Sequence, residues 1–373
     1  MMVSSVGGIV KKALHEGPLS REEILLLLQA ENVKDRERLF EAARLLRDRY
    51  FGNKIYLYGF IYFSTWCRNN CAFCYYRTSN PLCDRYRKTD AQVIDAGTRL
   101  AESGVHLLDL TMGEDPFYFG QGNGFDPLLH LAREIKTRTG LPLMISWGVV
   151  PDELLRALPG VGADWFACYQ ETHNRDLFRK LRLHQNYDRR FKVKENARLA
   201  GLLIEEGILS GAGERLEDVA DSIGTMRQMR AQQVRVMNFV PQKGTPMGAL
   251  PPPPPTREDV ILSVLRLVMP DRLIPASLDV HGIEGLRGKL QAGANVVTSL
   301  IPPASSLRGV AQSLLGIDEG HRTPQAVIPI LHELGLRKAT FQEYTHWIDK
   351  EKKILLQEAS LDTGPIQMKT ATG

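Results

Sequence analysis

The sequence predicts an α/β chain: a closed (β/α)8 barrel of the TIM type, preceded by a helical extension and followed by a short tail. Three observations carry this. From Lys54 onward, eight short, apolar, β-rich runs alternate with amphipathic segments. Those segments are about a dozen residues long, enough for the crossover that makes consecutive strands parallel. Eight near-even repeats favour closure over an open, doubly wound sheet. Finally, three cysteines cluster directly after the first run, at the end of the barrel where active sites of this fold lie.

The elements follow in order. Residues 1–50 form the helical extension. Pro18-Leu19-Ser20 precedes a helix over Arg21–Gln29, with Ser20 as N-cap and Glu23 completing a capping box. A second helix spans Arg36–Arg49. Residues 51–303 form the barrel. Its strands are expected at Lys54–Phe63, Leu107–Met112, Leu143–Val149, Trp165–Gln170, Ile204–Ser210, Val234–Phe239, Leu273–Leu278 and Asn295–Leu300. Helices are expected at Asp90–Ser103, Pro127–Arg138, Pro151–Leu158, Tyr187–Ala200, Leu216–Arg230, Arg257–Val268 and Gly282–Ala292. Pro251–Pro255 reads as a stiff surface linker before a helix. Residues 304–373 form a C-terminal helical segment and tail. From about Leu355 that tail has few apolar anchors and is expected to be loosely ordered.

Composition narrows the function classes. Lys and Arg total 47 against 43 Asp and Glu, a net charge of only +4, which argues against nucleic-acid binding driven by bulk charge. No run approaches the ~20 apolar residues of a membrane helix, and Met1–Lys12 does not read as a signal peptide. A cytoplasmic, monomeric protein is expected.

The five cysteines are an odd number, a poor disulfide framework. Cys67-x3-Cys71-x2-Cys74 instead reads as a metal cage short of a fourth thiolate. Three thiolates on a [4Fe–4S] cluster leave one iron open to another ligand. A structural zinc with a distant fourth ligand is the alternative.

Other groups belong to the same mouth. Glu114 follows Gly113 after strand two, where a carboxylate can meet an ammonium group. Glu171 ends strand four, and Arg190 opens the next helix, with Arg182 a weaker competitor. An acid and a guanidinium there can grip a zwitterion. Gly207–Glu214 is a Gly-rich strand end that permits close approach.

This cysteine spacing, with Phe73 before the third cysteine, resembles the radical S-adenosylmethionine superfamily. The resemblance implies S-adenosylmethionine on the open iron and a 5′-deoxyadenosyl radical as the reactive species. It implies that Phe73 packs near the adenine, that Glu114 holds the amino group, and that Glu171 and Arg190 complete the cofactor site. Ser146 falls in the same set.

Side chains alternate along a strand. Asp109 interrupts the apolar run of strand two, Arg235 lies between valines, and Ser277 and Asp279 share a face of strand seven. Buried charges need partners or a charged ligand, so this set suits a small diamino acid; an internal Arg–Asp salt bridge is the plainer reading. Asp109-Leu110-Thr111-Met112-Gly113-Glu114-Asp115-Pro116 and Arg272-Leu273-Ile274-Pro275-Ala276-Ser277-Leu278-Asp279 are the most specific of several strings similar to the methylornithine synthase family. That resemblance, over roughly residues 45–303, implies isomerisation of L-lysine to (3R)-3-methyl-D-ornithine in pyrrolysine biosynthesis. It assigns Asp109, Arg235, Ser277 and Asp279 to the amino acid, with no side chain acting as general acid or base. A flavodoxin or ferredoxin is the expected reductant. The runners-up are a hydrogenase-maturase-like enzyme acting on another amino acid and a non-catalytic iron–sulfur protein. Trp147, in Ser146-Trp147-Gly148, and the five prolines depart from the family pattern, and Trp147 is expected to reshape the pocket. Cys83 and Cys168 are expected to be bystanders.

Overall fold

The computed structural model describes residues 5–30, 32–120, 124–302 and 321–362. The expected boundary at 303/304 and the last part of the tail lie outside them. Three helices open the chain: α1 (Val6–Leu14), α2 (Arg21–Leu28) and α3 (Val33–Phe51). Ser20 caps α2 as expected, its hydroxyl accepting from the Glu23 N–H while the Glu23 carboxylate accepts from the Ser20 N–H. α3 outruns its predicted ends, because Asn32 caps its start and Gly52, at φ +63°, turns the chain out of it.

Eight parallel strands follow: β1 (Lys54–Ser64), β2 (Leu107–Met112), β3 (Leu143–Ser146), β4 (Ala163–Ala167), β5 (Leu203–Ser210), β6 (Gln233–Asn238), β7 (Pro275–Ser277) and β8 (Val296–Leu300). Their spatial order is β6-β5-β4-β3-β2-β1-β8-β7. The two ends of that order meet at a bridge between Gln233 and Leu273, where the Val234 N–H donates to the Leu273 carbonyl and the Leu273 N–H to the Gln232 carbonyl, both at 3.0 Å. The ring thus closes by a bridge instead of a ladder. β7 is shorter than predicted, since Pro275 lacks an N–H and Ser277 already caps the next helix.

Two more strands stop early for local reasons. β3 ends before Gly148, whose φ of +80° leaves the strand region. β4 ends at Ala167, and Glu171, at φ +68°, is drawn across to pair with Ile208 of β5. The crossover helices are α4 (Asp90–Glu102), α5 (Pro116–Phe119), α6 (Asp126–Thr139), α7 (Asp152–Ala157), α8 (Arg175–Leu181), α9 (Tyr187–Leu199), α10 (Leu216–Met229), α11 (Pro255–Val268), α12 (Leu278–His281) and α13 (Leu286–Gln291). The helix expected over Gly282–Ala292 is the shorter α13, and α12 is an additional turn before it that ends at Gly282 (φ +57°). The five prolines lead into α11, but they are more than a linker: Pro253 leans on the Gly211 turn so closely that a Cβ there would stand 2.4 Å from its ring.

The last described elements are α14 (Pro324–Glu333), β9 (Arg337–Lys338) and α15 (Phe341–Asp362). β9 extends the sheet beside the start of β1. α15 lies across the N-terminal ends of the strands. Tyr344 donates to the Tyr58 hydroxyl at 2.7 Å, and Trp347 stacks on Trp165 with centroids 5.8 Å apart. Glu351 pairs with Arg272 at 2.7 Å, and Glu358 with both Arg198 and Arg230. The expectation of a loose tail from Leu355 is corrected on this point: Leu355 is buried, and the helix runs to Asp362. His106 joins the same floor. The Leu57 N–H donates to its Nδ1, Nε2 lies 2.8 Å from the Ala339 carbonyl, and burial lowers its pKa to about 4, so the ring stays neutral. Among the described residues, no helix is long and apolar enough to cross a membrane.

Tyr344 plugs this floor. Tyr344→Ala is expected to destabilise the protein by about 3–5 kcal/mol through cavity formation. Tyr344→Phe, which only strands the Tyr58 hydroxyl, should cost about 1–3 kcal/mol. Urea unfolding midpoints of the two variants check both the order and the size.

Candidate active site

Because every strand runs the same way, all eight C-terminal ends reach one mouth. They surround a cavity of about 200 Å³. Register decides which side chains become neighbours there. Phe60 of β1 stands opposite Asp109 of β2, Thr111 opposite Ser146 of β3, and Gly207 of β5 opposite Arg235 of β6. Gly207 lets the Tyr169 ring pack close: a Cβ would lie 3.1 Å from it.

Cys67, Cys71 and Cys74 all line this cavity, as does Phe73. The loop that carries them is pinned at two points. The Ala72 N–H donates to the Leu181 carbonyl at 2.7 Å, and the Thr78 N–H to the Asn69 carbonyl at 2.8 Å. Cys71 Sγ accepts from Gln185 Nε2 at 3.0 Å and from Arg182 Nη1 at 3.6 Å. Those donors suit a thiolate. Burial raises the Cys67 thiol to about 11 and pushes Cys74 well above its ordinary range, so a metal must displace protons to bind. Among the described residues, no three His, Cys, Asp or Glu side chains are grouped to hold a single ion. All three thiols face the same cavity.

The residues expected to hold the cofactor, Phe73, Glu114, Ser146, Glu171 and Arg190, line the same cavity. Glu171 pairs with Arg182 at 2.5 Å, not with Arg190. The physical reason is the end of α8: Leu181 is tied to the cysteine loop, so Arg182 is delivered beside Cys71 and Glu171. Arg190, in the first turn of α9, donates to the Tyr169 carbonyl at 2.7 Å and lies 3.8 Å from Glu114. Glu114 is further held by Arg68 at 2.9 Å and the Val149 N–H at 3.0 Å. Burial raises the pKa of Glu171, with Arg182 opposing it. The left-handed backbone at Glu171 is a strained geometry of a kind that concentrates at functional sites.

Deeper in, Asp109 and Arg235 both line the cavity. The Arg235 partner is Glu205, at 2.7 Å, not the aspartates considered from sequence. Glu205 also accepts from the Tyr169 hydroxyl at 2.9 Å. One edge of each group is left over: among the described residues Arg235 Nη2, Asp109 Oδ1 and the Ser146 hydroxyl have no hydrogen-bond partner. Burial raises Asp109 to about 8, the neighbouring Ser146 hydroxyl and Arg235 charge only partly opposing it.

The structure brings Asp279 to the cavity wall but not Ser277. Asp279 opens α12 and is held by Arg322, by the Tyr62 hydroxyl at 2.7 Å and by the Ser299 hydroxyl at 3.2 Å. Ser277 caps α12 and faces Ser299 at 3.2 Å. The expectation that Ser277 and Asp279 share a strand face fails because the strand ends between them. Sequence reasoning also missed Glu205, Tyr169, Tyr62 and Arg322. Two adjacent acids, Glu205 and Glu206, inside a buried strand were a usable signal; Arg322, far along the chain, offered none.

The remaining expectations divide. Cys83 lies outside the cavity, whereas Cys168 is buried and reaches its wall. Trp147 is fully buried among core residues, and the cavity is lined by its neighbours Ser146 and Gly148 instead. It therefore does not reshape the pocket directly.

Comparison with known proteins agrees with this geometry. Residues 61–226 match the Radical SAM superfamily. The 3-methylornithine synthase of Methanosarcina barkeri (strain Fusaro) is 40% identical over 339 residues, covering 91% of this chain and 96% of that protein. The crystal structure of methylornithine synthase (PylB) superposes with a TM-score of 0.86 at 40% identity, covering 91% of this chain and 99% of that one. The [FeFe] hydrogenase maturase subunit HydE of Thermotoga maritima is more distant, 28% identical over 278 residues, 73% of this chain and 78% of that protein. A [4Fe–4S] cluster and S-adenosylmethionine are the cofactors of this superfamily, and the cavity carries the donor set for them. The chain belongs to the 3-methylornithine synthase family of radical S-adenosylmethionine enzymes.

Proposed function

We propose that this cavity isomerises L-lysine to (3R)-3-methyl-D-ornithine, as a step of pyrrolysine biosynthesis. The observation that carries the reading is the pair of free edges, Asp109 Oδ1 and Arg235 Nη2, in the same cavity as three cysteines. An acid and a guanidinium with spare hydrogen-bonding capacity match a substrate bearing both ammonium and carboxylate groups. The near-complete family match supplies the identity of that substrate.

In this reading Cys67, Cys71 and Cys74 hold the cluster, and Phe73, Glu114, Ser146, Glu171 and Arg190 hold S-adenosylmethionine. Bound there, the two supply a 5′-deoxyadenosyl radical that removes and returns a hydrogen atom. The protein's own residues position and contain. Arg235, aimed by Glu205 and Tyr169, takes the substrate carboxylate. Asp109 takes one ammonium group. Asp279, fixed by Tyr62 and Arg322, faces the second, with Ser277 supporting it indirectly. The lysine side chain breaks into a glycyl radical and an aminobutene before rejoining, so clamps at both ends keep the fragments together. Phe60 and Met237 line the wall, and α15 closes the floor, which excludes water. The enzyme works as a cytoplasmic monomer and takes its electron from a flavodoxin or ferredoxin.

Arg235→Ala is expected to abolish methylornithine formation while leaving iron and sulfide content unchanged. Anaerobic turnover with mass spectrometry and iron analysis of the same sample check this. Normal product formation would sink the clamp.

Asp109 makes binding pH-dependent. Its pKa is raised to about 8, so below that pH the ligand-free protein holds a proton there. An ammonium group favours the ionised form, so lysine binding releases that proton. Affinity for lysine should rise by up to about tenfold per pH unit from about pH 6 to 8, then level off. Asp109→Asn should flatten the profile. Calorimetry in buffers of different ionisation heat reads the released proton directly. The same shift makes the ligand-free fold less stable as pH rises from about 4 to 8, where only the unfolded chain has lost the proton.

A further inference from the structure

The reading above requires an electron from outside the protein, and the surface beside Cys67 carries features that the cavity chemistry does not use. Trp66, next to Cys67 in sequence, is 43% exposed, and Phe117, in the short helix α5 that follows β2, is 41% exposed. Large exposed aromatic rings in one place are a mark of contact surfaces, above all beside arginine. Here Arg87 lies over Phe117 at 4.5 Å and Arg85 over Trp66 at 5.7 Å.

The two rings hang from one hydrogen-bonded knot. The Trp66 N–H donates to the Ser64 hydroxyl at 3.2 Å, and that hydroxyl donates to Asp115 Oδ2 at 2.6 Å. The Phe117 N–H donates to Asp115 Oδ1 at 2.9 Å, and Arg87 grips both carboxylate oxygens at 2.7 Å. The rim is therefore rigid. Gly113 seats it against the cluster loop, since a Cβ there would lie 2.4 Å from the Trp66 carbonyl and 2.7 Å from Cys67 Cβ.

The rim carries several cations. Arg68 and Arg87 are balanced by Glu114 and Asp115. Arg85 donates to the carbonyls of Thr65, Tyr76 and Arg77, and among the described residues it has no carboxylate partner. Lys88 lies 4.9 Å above the Tyr86 ring and has none either. Among the described residues, then, two cations without a carboxylate partner flank the aromatic pair.

We infer that this rim, built on Trp66, Phe117, Arg85 and Lys88 beside Cys67, is the docking face for a small acidic one-electron carrier protein. The inference rests on the proposal that Cys67 ligates an iron–sulfur cluster. An acidic partner complements the two free cations, and the aromatic rings supply the buried centre of the contact. One electron crosses: the carrier's flavin hydroquinone is oxidised to the semiquinone, the cluster is reduced by one electron, and the flavin's proton passes to water.

The test is stopped-flow reduction of the reconstituted protein, followed by cluster absorbance without S-adenosylmethionine or lysine. An acidic flavodoxin in its hydroquinone form is compared with dithionite. With flavodoxin the second-order rate should fall steeply as salt rises. Lys88→Glu and Trp66→Ala should each slow it by roughly tenfold, with the dithionite rate and iron content unchanged. Unchanged flavodoxin rates in both variants, or parallel slowing with both reductants, would overturn the docking role. Failure to make methylornithine would count against the proposed function alone, because this rate needs no substrate.

Discussion

Desolvation of carboxylates is the constraint on which the mouth of this barrel depends. A carboxylate taken out of water without a partner costs several kcal/mol. Glu114, Glu171, Glu205 and Asp279 are all buried, and each lies against arginine: Arg68 and Arg190, Arg182, Arg235, and Arg322 respectively. Those arginines come from five different places in the chain. The cysteine loop, the end of α8, the start of α9, strand β6 and the segment before α14 are thereby drawn to one cavity. Removing either member of such a pair leaves the other charge stranded, at a cost of about 3–5 kcal/mol. The ion pairs consequently do two jobs, holding loops in place and presenting polar edges to ligands.

The barrel makes this possible by supplying a rigid frame with two unlike ends. Parallel ladders hold Asp109 on β2 beside Ser146 on β3, and Arg235 on β6 beside β5, which limits their movement. The opposite end is sealed by α15 through aromatic packing and the Tyr344–Tyr58 hydrogen bond. Closure is thinnest between β6 and β7, where Pro275 interrupts the ladder. That seam separates Arg235 from Asp279, so the two ends of the substrate site sit on elements joined through a bridge and through the long way round the ring.

Much of this was legible in the sequence, and the reasons differ by feature. The eight strands could be read because buried parallel strands are short, nearly uniform apolar runs. The cysteine loop was legible because metal ligation imposes spacing. Asp109 and Arg235 stood out as charges inside apolar runs. Pairing was not legible. Glu171 meets Arg182 because of how α8 ends against the cysteine loop, and no spacing rule encodes that contact. The Asp279–Arg322 pair spans 43 residues, and Ser277 left the cavity because its strand ends one residue earlier than periodicity suggests. Trp147 turned away from the cavity into the surrounding core, since alternation places it on the face opposite Ser146 and Gly148. In each case sequence showed the residue type, and tertiary packing chose its partner.

Among the described residues, Asp109 is then the one carboxyl in the cavity wall that no arginine pairs with, and this has a chemical use. Empty, the wall avoids a lone buried charge because Asp109 keeps its proton, its pKa raised to about 8 by burial. An arriving ammonium group changes that balance, since the proton leaves and a charge-assisted hydrogen bond forms in its place. At pH 7 ionising Asp109 costs about 1.4 kcal/mol, one unit of pKa, which a buried charge-assisted bond of about 1.5–3 kcal/mol exceeds. A ligand that brings no ammonium group to Asp109 pays no such cost but gains no such bond, and it leaves Asp109 Oδ1 without a partner. Recognition of an ammonium group therefore follows from one unpaired acid among paired ones. The Glu205-bound Arg235 can meet the substrate carboxylate without leaving its own charge uncompensated when the site is empty. Radical recombination adds a further demand, that both ends of the substrate stay fixed while the middle is broken. Groups locked in place by their own ion pairs meet that demand better than free side chains, which would have to lose entropy at each turnover.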